Sequence, residues 1–227
     1  MYFKDIIFDL DGTLIDSEGD IIESLRSAFH EIDPENPVDI RVTHIGPPLK
    51  EIIQNIAPMM PEDKVKSAMK AFRRAYDHCG FDKTTPRPGI GDLIRGLRDK
   101  SVRLFIVTNK PVFATRKILE RLQWKEVFEN VINPDTLPGT RLSKSEMVAH
   151  LIKGYDLEPE TTLFIGDSDF DATAARENGV LSVVTMDGYG ERQAIQNSRP
   201  DYTIEHINEL NNLIMELIKH GSRTRIS

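Results

Sequence analysis

Four short apolar runs, Phe3–Phe8, Val102–Val107, Thr162–Ile165 and Leu181–Val184, restrict the fold of this chain more than any other feature. Each is largely continuous rather than alternating, the pattern of strands buried on both faces of a parallel sheet. Between them lie stripes at helical spacing: Ile90, Leu93, Ile94 and Leu97, then Ile118, Leu119 and Leu122, then Met147, Val148, Leu151 and Ile152. Ser143 and Glu146 form a capping-box signature ahead of the third stripe. A closing helix carries Ile207, Leu210, Ile214 and Leu217. Strands alternating with helices predict an α/β domain built on a doubly wound parallel sheet.

The alternation is interrupted once. Between Asp16 and about Arg87 the chain offers three consecutive helical stripes. These are Ile21, Leu25, Ala28, Phe29 and Ile32; then Leu49, Ile52, Ile53 and Ile56; then Val65, Ala68, Met69, Phe72 and Tyr76. Turn-rich stretches at Asp33–Pro37 and Gly46–Pro48 separate them. The reading is a core of residues 1–15 and 88–227 with an all-helical cap, 16–87, inserted after the first strand. The tail Ser222–Ser227 is expected to fray, with Arg223 and Arg225 solvated.

Three of the four runs end in polar clusters: Asp9-Leu-Asp-Gly-Thr13, Thr108-Asn-Lys110, and Gly166-Asp-Ser-Asp-Phe-Asp171. Ligands of open parallel sheets sit beyond the carboxyl ends of the strands, so three such strands would gather clusters far apart in sequence. Asp9, Asp11, Asp167 and Asp171 would then crowd one site, where like charges must protonate or share a cation. Oxygen ligands without His or Cys favour a hard ion, and Mg²⁺ suits a site completed by water and phosphate. Of Asp9 and Asp11, two residues apart, one would ligate and attack while the other faces the leaving group. Gly12 fits a tight turn that Thr13 would hold by local hydrogen bonding. Thr108 and Asn109 supply neutral donors, and Lys144 sets a positive charge in the first turn of the capped helix, where an anion is favoured. Together these groups suit phosphoryl transfer; the G-x-x-x-x-G-K-[ST] loop of P-loop nucleotidases is absent from the sequence.

In their order and spacing, Asp9-Leu-Asp-Gly-Thr13, Thr108-Asn109, Lys144 and Gly166-Asp167…Asp171 resemble the four motifs of the haloacid dehalogenase superfamily. The phosphoglycolate phosphatase-like branch is suggested by Asp11–Ser17, Ile45–Leu49 and Val107–Pro111, whereas Arg141-Leu-Ser-Lys-Ser-Glu146 resembles a nucleotidase-like side branch. The resemblance implies a phosphatase in which Asp9 is the nucleophile and forms an aspartyl-phosphate. Asp11 would be general acid and then general base, its backbone carbonyl also meeting the metal. Thr108, Asn109 and Lys144 would hold the phosphate; Asp9, Asp167 and Asp171 would complete the metal site. Asp11 separates a phosphatase from a dehalogenase. A 5′-nucleotidase, a sugar-phosphate phosphatase, a phosphomutase and a catalytically silent phosphate-binding protein are the alternatives.

The cap would choose the substrate, a small phosphorylated metabolite. Lys50, after the Ile-Gly-Pro-Pro-Leu turn, is the favoured contact; Arg41, His44, Arg73 and Arg74 are further candidates. Lys110 is expected to face solvent, and the roles of Asp169 and Phe170 stay open. With 29 Lys+Arg against 36 Asp+Glu the net charge is −7, which disfavours a nucleic-acid polymer as partner. The single cysteine, Cys79, excludes an intramolecular disulfide and is expected to pack as a small hydrophobe. The sequence has no run of about 18 apolar residues and no signal-peptide pattern. The expectation is a cytoplasmic monomer or weak homodimer with no membrane partner.

Overall fold

The computed structural model describes residues 3–41 and 44–220, so the tail expected to fray lies outside the described residues. Its centre is a six-stranded sheet in which every neighbouring pair is parallel. The strands are β1 (Asp5–Phe8), β4 (Arg103–Val107), β5 (Asn130–Ile132), β6 (Thr162–Gly166), β7 (Leu181–Thr185) and β8 (Tyr202–Ile204), in the order β5-β4-β1-β6-β7-β8. The four expected runs are the four inner strands; the two edges, β5 and β8, are three residues each.

Continuous apolarity reflects burial on both faces. Ile6 and Phe8 of β1 join one buried cluster with Leu104, Ile106, Leu163 and Ile165, while Ile7 joins Phe105, Val107 and Phe164 on the other face. Helices α4 (Ile90–Arg98), α5 (Val112–Arg121) and α9 (Leu210–His220) contribute to the first cluster. Helices α6 (Lys144–Tyr155) and α7 (Asp169–Glu177) cover the second. A further helix, α8 (Arg192–Ser198), leads into β8. Ser143 and Glu146 do form the capping box of α6: Ser143 Oγ accepts from Glu146 N, and Glu146 Oε2 accepts from Ser143 N.

The interrupting segment holds α1 (Glu18–Ile32), α2 (Leu49–Ile56) and α3 (Glu62–Asp77), with α1 and α2 both packed on α3. Its apolar stripes join the same buried cluster as one face of the sheet. A two-stranded antiparallel ladder closes its base: β2 (Ile15–Asp16) pairs with β3 (Thr85–Pro86). Cys79 packs partly buried against the cluster, as a small hydrophobe would. Among the described residues no helix is long and apolar enough to cross a membrane.

Candidate active site

The site lies where β1, β4 and β6 end together. Asp9 follows β1, Thr108 follows β4, and Asp167 follows β6, because parallel strands in register all release their chains at their carboxyl ends. Lys144 opens α6, and its Nζ donates to Asp9 Oδ1 at 2.8 Å and lies 2.6 Å from Asp171 Oδ1. Asp9, Asp167, Asp171 and Lys144 are all buried.

Asp9, Asp167 and Asp171 each offer a carboxylate oxygen within 4.8 Å of the others. Asp171 is saturated on one side: its Oδ2 accepts from the backbone N–H groups of Asp167 and Ser168 and from Ser168 Oγ. Asp167 accepts from Thr13 Oγ1 at 3.2 Å and from Tyr189 N at 2.6 Å. Thr13 thus holds Asp167 from across the sheet rather than bracing its own turn, because the backbone alone closes that turn through Gly12 N and Ile15 O.

The electrostatics call for a cation. Burial pushes the Asp9 carboxyl well above its ordinary range; Lys144 pulls it down, and the charges of Asp171 and Asp167 push it further up. Burial, followed by the charge of Asp171, pushes Asp167 up to about 7. Burial pulls the Lys144 ammonium down, but the carboxylates of Asp171 and Asp9 outweigh it and raise the group. Three buried carboxylates beside one lysine leave two negative charges to neutralise, and the all-oxygen donors fit a hard dication. Glycines make room for this arrangement. Gly12 adopts φ +82°, and a Cβ there, or at Gly188 after β7, would collide with the Asp167 carboxylate.

Asp11 lies outside the carboxylate trio. Its Oδ1 accepts from Ser17 Oγ at 2.5 Å and pairs with Lys110 Nζ at 3.0 Å. Lys110 therefore does not face solvent: it is buried, 2.5 Å from Tyr76 Oη, with its ammonium 4.6 Å from the Tyr76 ring centroid. A lysine beside Pro111 reads as exposed until α3 is laid over it. Thr108 is buried and accepts from Lys110 N at 3.1 Å, leaving its hydroxyl hydrogen free to donate. Asn109 directs one amide N–H to Gly46 O of the inserted segment, at 3.3 Å.

The cleft above is open to solvent. Arg73 lines it, as does Arg141 from the core; Lys50, Arg41, His44 and Arg74 do not. Lys50 is half exposed and pairs with Glu62 at 2.9 Å. Arg74 pairs with Glu31, Arg41 with Asp39, and His44 Nδ1 accepts from Arg41 N. Asp169 occupies the first position of α7, half-exposed beside Phe170.

Sequence reasoning missed Tyr189. Besides the amide that holds Asp167, its hydroxyl donates to Asp16 Oδ1 at 2.8 Å and accepts from the N–H groups of Ser17 and Glu18 at 2.7 and 3.0 Å. Arg87 was missed as well; it donates to Gly12 O and pairs with Asp187 at 2.8 Å. A signal was Asp187-Gly-Tyr-Gly190, a glycine-rich turn shortly after the fourth apolar run.

The family profile described as "Haloacid dehalogenase-like hydrolase" matches residues 6–185. Tyrosine-protein kinase PtkA of Mycobacterium tuberculosis is 34% identical over 191 residues, which are 84% of this chain and 64% of that protein; the chain spans less than two thirds of its length. A 5′-nucleotidase of Pseudomonas aeruginosa is 28% identical over 201 residues, 88% of this chain and 90% of that one. A phosphoglycolate phosphatase of Aquifex aeolicus is 29% identical over 207 residues, 90% and 93% respectively. Among solved structures, a haloacid dehalogenase-like family hydrolase from Streptococcus pneumoniae superposes with a TM-score of 0.82 at 28% identity, covering 93% of this chain and 98% of that one.

Proposed function

The chain belongs to the haloacid dehalogenase-like hydrolases, and from that premise we propose that it is a Mg²⁺-dependent phosphatase of small phosphate monoesters. The observation that carries the reading is the convergence of Asp9, Lys144, Asp167, Asp171 and Thr108, buried together at the carboxyl ends of the inner strands.

In this reading Asp9 attacks phosphorus, forming an aspartyl-phosphate as the bond to the leaving oxygen breaks. Asp11 gives that oxygen its proton, then takes one from the water that attacks phosphorus and frees Asp9. Lys144 and Thr108 hold the transferring oxygens, with the second N–H of Asn109 as a further donor. Asp9 and Asp167 would hold the metal together with the Asp11 backbone carbonyl, Asp171 supporting them. When bound, Mg²⁺ neutralises the carboxylates and polarises the phosphoryl group. Residues 16–87 act as a cap that excludes water from the cleft, hinged at the ladder between β2 and β3.

The test is release of inorganic phosphate from small monoesters with Mg²⁺ and after EDTA. Asp9→Asn is expected to fall to background, and Asp11→Asn by roughly 10²–10⁴-fold. Full activity in Asp9→Asn, or in EDTA, refutes the assignment. A second reading, transfer to a protein hydroxyl instead of water, is prompted by the likeness to a protein named as a tyrosine kinase. Phosphate retained on a protein acceptor, with none released, would favour it.

A further inference from the structure

The leaving-group side of the cleft carries its own chemical message. Ile21, Ile45, Leu49, Ile52, Phe72 and Tyr76, all from the inserted helices and their connecting turn, line it. Ile21, Ile45, Ile52 and Tyr76 are buried, and Leu49 and Phe72 half-buried. Phe72 and Tyr76 lie one helical turn apart on α3 and stack with ring centroids 5.2 Å apart and planes inclined by 13°. The pair gives the cleft a flat aromatic platform. Charge on this side comes from exposed Arg73 and Asp77, of opposite sign and four residues apart, and from buried Lys110, which Asp11 pairs at 3.0 Å; Arg141 is an exposed contribution from the core. Lys50 is drawn outward by Glu62.

A compact leaving group that carries its own carboxylate gains little from such walls, since it would lose hydration against apolar side chains while the buried cation on this side, Lys110, is already paired with Asp11. A planar, largely uncharged body gains by desolvation and by stacking. We propose that this cleft selects monoesters whose leaving group is a flat aromatic body, either an aryl alcohol or a nucleoside, packed against Phe72, over small anionic esters such as phosphoglycolate. The inference rests on the phosphatase reading and names its substrate class.

The experiment compares steady-state hydrolysis of phosphoglycolate, a nucleoside 5′-monophosphate and p-nitrophenyl phosphate by the full chain with Mg²⁺. The first two both release alkyl alcohols, so their ratio reports recognition rather than leaving-group reactivity. The nucleotide is expected to show kcat/KM at least about tenfold above phosphoglycolate if nucleosides are the source; if aryl alcohols are, only p-nitrophenyl phosphate shows the Phe72 dependence. Phe72→Ala should raise KM for the aromatic ester about tenfold, the share of one lost stacking contact, with kcat and the phosphoglycolate KM little changed. Phe72→Tyr, which keeps the flat face, should restore the KM and checks that the alanine variant has not merely unfolded. Phosphoglycolate as the best substrate, or a Phe72→Ala effect equal on all three esters, overturns the inference and leaves the phosphatase reading intact. Hydrolysis of none of the three overturns both.

Discussion

Lys110 Nζ lies 3.0 Å from Asp11 Oδ1, joining a residue three positions past the end of β4 to the second acid after β1. The contact is buried beneath Tyr76, so α3 of the inserted segment rests on the group that holds the proposed general acid. Lys110→Met keeps the apolar stem and removes the charge. It is expected to lower kcat about 10- to 100-fold, the scale of a misplaced catalytic group, with KM changed far less. Stopped kinetics with circular dichroism as a fold check would decide it; unchanged kcat would show that Asp11 holds its position unaided.

Tyr189 ties the Asp167 end of the site to the base of the inserted helices. Tyr189→Phe removes a buried hydroxyl that serves Asp16, Ser17 and Glu18, and strands the Ser17 N–H, while the Glu18 N–H keeps Asp16 Oδ1 at 3.1 Å. The expected loss is about 1–3 kcal/mol of unfolding free energy, read by urea denaturation. Metal affinity should hold within about threefold, since the amide that binds Asp167 is untouched. A large loss of metal affinity with unchanged stability would contradict this division.

Two glycines should respond oppositely to the same substitution. A Cβ at Gly188 would run into the Asp167 side chain, so Gly188→Ala is expected to weaken metal binding about 10- to 100-fold, as displaced supporting groups do. Gly96 lies inside α4 with nothing within 4 Å of its would-be Cβ. Gly96→Ala should stabilise by about 0.5–1 kcal/mol through helix propensity, with Mg²⁺ affinity unchanged. Mg²⁺ titration calorimetry and thermal melts of both variants test the pair.

Asp187 supplies a pH signature. Partial burial favours its protonated form, but Thr185 Oγ1, Arg87, Ile207 N and His206 outweigh that and hold the carboxyl below its ordinary value of 3.8. A carboxyl depressed by folding stabilises the native state above its unfolded pKa and loses that contribution as pH falls through the native one. Asp187→Asn should therefore cost about 1–2 kcal/mol at pH 7, and the gap to the parent should narrow below pH ~4. Urea midpoints at pH 7 and pH 3 measure it; an equal gap at both would assign the effect to packing.

Much of the architecture was legible because it is local. Phe3–Phe8 and Val102–Val107 announce buried strands by their own composition, and Ser143 with Glu146 marks a helix start by its own hydrogen bonds. The edge strands Asn130–Ile132 and Tyr202–Ile204 were not, since three partly exposed residues carry too little pattern. Lys50 illustrates the same limit on the site: its reach toward a ligand was a matter of side-chain direction, which Glu62 decides.

By itself the sequence determined which residues end the inner strands, and so which acids meet at the strands' carboxyl ends, because parallel register follows from the apolar runs. Only the tertiary structure decided what surrounds each acid. Lys110 is a paired, buried cation because α3 covers it; Asp11 faces that lysine while Asp9 faces Lys144; Tyr189, 172 residues from Ser17, completes the support. Those facts depend on contacts between segments distant in the chain, and burial and charge pairing have no existence until the segments meet.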